Sequence, residues 1–96
     1  MQIKDLKNGM KRVNVEAKVL EKEGAREVMS RYKDETYRVA NATISDGSGQ
    51  IKLTLWNDQI EQVSENNTVK IENGYVTSFR GEIQLNVGRY GKLTVT

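Results

Sequence analysis

Apolar residues recur at every second position along most of this chain, the period of a β-strand with one buried face. Val13, Val15, Ala17 and Val19 alternate with Asn14, Glu16, Lys18 and Leu20, and only Leu20 breaks the pattern. From Tyr37 to Ser45, the residues Val39, Asn41, Thr43 and Ser45 share one side, while Arg38, Ala40, Ala42 and Ile44 share the other. Ile51, Leu53 and Leu55 then form a core face, which leaves Lys52, Thr54 and the single tryptophan, Trp56, on the opposite one. Thr68 to Phe79 reads as a long strand with Val69 and Ile71 inward. Asn73-Gly74 interrupts it where a bulge or bend fits, and beyond that Tyr75, Thr77 and Phe79 oppose Val76 and Ser78. Ile83, Leu85 and Val87 alternate with Glu82, Gln84 and Asn86, and Leu93-Thr94-Val95 offers a short terminal strand.

The intervening segments supply the punctuation. Asn8-Gly9 and Arg80-Gly81 mark turns, Asp46-Gly47-Ser48-Gly49 links two strands, and Leu6 and Met10 are placed to cover one end of a core. After Trp56, Asn57 or Asp58 can cap one or two helical turns that bury Ile60 and Val63 at i, i+3 spacing. Residues 21–36 are highly charged and predict a long hairpin connection into which the flanking strands extend; its basic residues either reach a ligand or remain solvated. The pattern therefore predicts an all-β domain spanning residues 1–96. Its five strands carry one short helix between the third and fourth, which is the element order of an OB-fold barrel. Another small barrel is the alternative, but barrels of the SH3 type lack a helix at that place.

Composition narrows the chemistry. The chain has no cysteine and no histidine, which removes the thiolate nucleophile, the cysteine zinc site and the commonest general base. Asp46, Asp58 and Glu61 are the closest group of carboxylates, a thin basis for metal-dependent hydrolysis. The Asp46–Gly49 turn lacks the Gly-Lys-Ser/Thr ending of a phosphate loop. The expectation is binding without catalysis, with no metal and no cofactor. The net charge of +2 is small, but residues 1–20 carry five basic against two acidic side chains and residues 70–96 four against two, whereas residues 41–69 carry one against four. Strands from the two ends that meet in the fold would give a modest basic surface. No run approaches the length of a membrane span and the first residues have no apolar signal-type stretch, so the sequence predicts a cytoplasmic protein.

An exposed aromatic beside cations suits a flat, negatively charged ligand, whereas a tryptophan folded back over the strand end would plug the barrel instead. Ile51-Lys52-Leu53-Thr54-Leu55-Trp56, Val69-Lys70-Ile71-Glu72-Asn73-Gly74 and the run from Phe79 to Gly88 resemble the archaeal single-stranded DNA-binding proteins that carry one OB-fold related to those of replication protein A. The resemblance covers nearly the whole chain. It implies that Trp56, Tyr75 and Phe79 stack on bases; the middle position is commonly tryptophan in that family, so Tyr75 is a departure. Family members often continue into a flexible tail that recruits partners, and this sequence ends at Thr96. Together these readings predict a monomer that binds single-stranded DNA in replication, repair or recombination, with replication or repair proteins as further partners. RNA is a second ligand that such a face has no built-in reason to reject. In this reading Lys52, Arg80, Arg38, Arg31 and Lys33 meet phosphates, and Thr54, Gln84 and Asn86 offer hydrogen bonds. A rival reading is an OB-fold assembly subunit whose aromatics are covered by a protein partner.

Overall fold

The computed structural model describes residues 2–29, 36–87 and 91–95. After a 3-10 turn over Ile3–Asp5, the chain forms β1 (Lys11–Lys22), β2 (Arg26–Met29), β3 (Thr36–Ser45), β4 (Gln50–Trp56), α1 (Asp58–Gln62), β5 (Thr68–Phe79), β6 (Glu82–Asn86) and β7 (Lys92–Val95). The strand order is β1-β3-β4-β6-β5, and β1 also pairs with β5, so the sheet closes into a ring. These are the five expected strands, with the helix between the third and fourth of them. Two short strands add to these five. β7 pairs with β5, where the terminal Leu93–Val95 alternation pointed. β2 pairs with β3 inside the charged connection and has all four residues exposed, so no burial pattern marks it in the sequence.

The inward faces meet as the alternation requires. Val13, Val15, Ala17 and Val19 of β1 pack with Ala40, Ala42 and Ile44 of β3, Leu53 and Leu55 of β4, Ile71 and Val76 of β5, and Leu85 of β6. Leu6 is buried at one end of this core and Met10 packs against it, as the first turn suggested. Leu20 stays outside because the β1–β3 register shifts between Val19 and Glu21: it is the extra residue of a β-bulge.

Two turns explain how the strands reach their places. Arg80 and Gly81 both have positive φ, which a two-residue hairpin of type I′ requires, and they set Phe79 opposite Glu82. In β5 the register against β1 slips between the Val13–Gly74 and Val15–Ile71 pairs, with Asn73 at φ 55°. At Gly74 a Cβ would come within 2.9 Å of both the Asn86 carbonyl oxygen and Ile71 Cγ2, so this corner needs glycine for space. The helix corrects one expectation: Asn57 occupies the cap position, but its Oδ1 accepts from the Arg38 backbone N–H at 3.1 Å instead of capping α1. Among the described residues no helix is long and apolar enough to cross a membrane.

Candidate nucleic-acid interface

The face opposite the core is read most simply as rows running across paired strands, because directly opposed residues point to the same side. One row joins Arg26 of β2, Val39 of β3 and Trp56 of β4. The next joins Asn41, Thr54, Asn86 and Tyr75, and the one after it Thr43, Lys52, Gln84 and Thr77. Phe79 and Glu82 close the sequence at the hairpin end. Three aromatic rings thus share one surface: Trp56 and Tyr75 are each 38% exposed and Phe79 is 57% exposed. The parity expected for these residues within their strands is the parity found.

Two adjoining clefts lie on this surface, and Tyr75 lines neither of them. The larger, about 380 Å³, lies between Trp56 and Phe79 over Val39, Asn41, Thr54, Gln84 and Asn86. The smaller, about 220 Å³, is bounded by Phe79, Arg80, Arg26, Lys52 and Glu23, and shares Asn41 and Gln84 with the first. The floor is polar and largely bonded to itself. Thr54 Oγ1 donates to Gln84 Oε1 at 3.4 Å, and Asn86 Nδ2 donates to Thr77 Oγ1 at 2.9 Å, so Thr54 and Asn86 act first as supports of the surface.

The cations differ in how free they are. Arg80 lies over the Phe79 ring, 5.2 Å from its centroid, which presents ring and charge together. Lys52 Nζ donates to Glu23 Oε1 at 2.9 Å; that bond holds its pKa above the ordinary lysine value against the opposing effect of burial, with Glu23, Glu82 and Glu21 adding their fields. Arg38 corrects the sequence reading. It shares the parity of Ala40, its guanidinium pairs with Glu61 of α1, and it lines neither cleft. The pair raises the pKa of Arg38 and lowers that of Glu61, chiefly through the hydrogen bond between them. Arg31 and Lys33 lie outside the described residues.

The structure also brings to this face Arg26, whose contact with a ligand the sequence reading left open, and residues which that reading did not assign to the site. Arg26 and Val28 reach the larger cleft because β2 extends the sheet beside β3, and among the described residues Arg26 forms no ion pair. Val39 and Asn41 belong to the same face; the alternation of β3 already placed them together, and only the pairing of β3 with β4 shows that Trp56 stands beside them. Of the acidic groups considered for a metal, Asp46 sits in the β3–β4 turn whereas Asp58 and Glu61 are on α1, and among the described residues no group of three or more such ligands is placed to hold an ion.

Comparison with known proteins agrees with the fold and extends it to a family. The family model for single-stranded DNA-binding proteins of the Ssb-like OB-fold type matches residues 6–95. The chain is 37% identical over 92 residues to the single-stranded DNA-binding protein Ssb of Saccharolobus solfataricus, a match that covers 96% of this chain and 61% of that protein. It thus spans less than two thirds of that relative's length. Among solved structures, the OB domain of a Thermoplasma acidophilum protein superposes with a TM-score of 0.84 at 23% identity, covering 100% of this chain and 85% of that one. The second OB-fold domain of replication protein A from Methanococcus maripaludis gives 0.80 at 18% identity, covering 99% and 92%. With the five-stranded ring, the helix position and the family match over nearly all its length, the chain belongs to the Ssb-like family of single-stranded DNA-binding OB-fold proteins.

Proposed function

We propose that this chain binds single-stranded DNA with little regard to sequence, in replication, repair or recombination, and without catalysis. The observation that carries the reading is the exposure of Trp56, Tyr75 and Phe79 on one surface above a polar floor. Bases of an extended strand stack on the three rings; every base has a π-face, so stacking tolerates sequence. Arg80 and Arg26, with Lys52 where Glu23 releases it, neutralise phosphates at the edges of the clefts. The similarity to a protein named for single-stranded DNA binding supports DNA as the ligand. RNA fits the same stacking surface, since nothing in stacking rejects a 2′-hydroxyl.

The test is fluorescence anisotropy with a labelled oligonucleotide. The protein should bind the single strand as a monomer and bind the matched duplex far more weakly, because duplex bases are already stacked on one another. Equal affinity for both, or self-association with no response to DNA, would favour a protein-assembly role for the aromatic face. A matched ribo-oligonucleotide in the same assay measures the preference for DNA.

A further inference from the structure

Asn41 gives the floor a polar side chain that hydrogen-bonds to no described residue. It is only 5% exposed and lies in the middle of β3, with its backbone carbonyl accepting from the Glu23 N–H at 2.8 Å. Its neighbours on the floor are committed, Thr54 to Gln84 and Asn86 to Thr77. The Asn41 side chain makes no hydrogen bond to any described residue, yet no buried side-chain polar atom is left stranded from solvent, so its amide meets the clefts. It is also the floor residue, besides Gln84, that borders both of them, between Trp56 and Phe79. Its amide is therefore solvated in the clefts, where the polar edge of a ligand can take the place of that water.

We propose that the Asn41 amide is the base-reading contact of this surface, hydrogen-bonding the edge of the nucleobase that lies between Trp56 and Phe79. This deepens the proposed single-strand binding and rests on it. An amide presents one acceptor and one NH₂ donor in a plane, and each base carries a neighbouring donor and acceptor on its pairing edge. Because no hydrogen bond to a described residue fixes which way the Asn41 amide faces, it can turn to suit adenine or cytosine, which offer an amine beside a ring acceptor, or thymine or guanine, which offer a carbonyl beside an N–H. The contact therefore adds affinity at one nucleotide while leaving sequence tolerance intact.

Asn41→Leu removes both bonds while keeping the branched outline of the side chain, and Asn41→Asp keeps the shape but leaves acceptors alone. Asn41→Leu should weaken binding of oligo-dT, oligo-dC and oligo-dA alike, by roughly 5- to 30-fold, the loss expected for one or two net hydrogen bonds. In a scan that places one abasic site at each position of an oligonucleotide, that weakening should vanish at a single position. When a single guanine is walked through oligo-dT, Asn41→Asp should favour it relative to wild type at one position, since guanine alone sets two donors side by side, its ring N–H and its amine, for the two carboxylate oxygens. The thermal midpoint of each variant is measured alongside. Weakening by Asn41→Leu that persists wherever the abasic site is placed would assign the contact to sugar or phosphate and overturn the proposal. An Asn41→Asp variant that gains no preference for guanine over the wild type at any position would overturn it as well, and this arm stands if the leucine variant does not fold. Wild-type protein that binds no strand at all would instead overturn the stacking reading on which both arms rest.

Discussion

Trp56, Tyr75 and Phe79 were legible as a set because parity within a strand depends only on counting, and each sits on the polar side of its own alternation. Arg38 and Lys52 were less so. Whether a cation is free depends on what the register brings beside it, and here that is Glu61 for Arg38 and Glu23 for Lys52. Asn41 escaped notice for the same reason, since its lack of a hydrogen-bond partner is a property of its neighbours. The Glu23–Lys52 pair yields a prediction. Phosphate and Glu23 compete for one ammonium, so Glu23→Gln should tighten single-strand binding and steepen the fall of log K with log salt by about 0.7, the slope of one added phosphate contact on a single strand. A titration series in salt measures it; an unchanged slope would mean that Lys52 takes no part.

At the scale of elements, the strands with one buried face could be read from their period of two, and the bulges at Leu20 and Gly74 from the places where the period fails. β2 could not, because a fully exposed strand has no apolar face and is held by pairing with β3 alone. Gly74 shows how a corner is enforced. Gly74→Ala should cost about 1–3 kcal/mol of stability, the usual penalty for overpacking, because the added methyl meets the Asn86 carbonyl oxygen and Ile71. Urea unfolding of the two proteins measures the loss, and an unchanged midpoint would show that β5 and β6 can separate without penalty.

The β3–β4 turn ties the N-terminal turn to the ring through one carboxylate. Asp46 accepts from Ser48 Oγ at 2.5 Å, from the Ser48 N–H at 2.8 Å and from the Ile3 N–H at 2.9 Å. The Ser48 hydroxyl, and after it the Ile3 N–H, lower its pKa from 3.8 to about 2. A carboxyl depressed on folding stabilises the folded state fully above its unfolded value, and that contribution disappears as pH falls from about 4 towards 2. Asp46→Asn should be less stable than wild type at neutral pH and should lose less stability across that acid window. Parallel unfolding curves for the two proteins from pH 5 to 2 would contradict the assignment.

At the scale of the molecule, closure of β1 on β5 turns five strands into a ring that carries Trp56, Tyr75 and Phe79 on one outward face. The basic ends of the chain do approach one another through this pairing, yet the cleft itself is of mixed charge, with Glu23 and Glu82 beside Lys52, Arg26 and Arg80. In the proposed reading, stacking therefore supplies what a strongly basic groove would supply elsewhere. Trp56 is the chain's one tryptophan, so its emission reports directly on that surface. Titration with a single-stranded oligonucleotide should quench it, duplex should do so far less, and Trp56→Ala should cost about 1–3 kcal/mol of affinity with little change in the unfolding midpoint. Emission indifferent to the oligonucleotide, together with a loss of about 3–5 kcal/mol in folding stability on the same substitution, would identify Trp56 as a structural plug and contradict the stacking account.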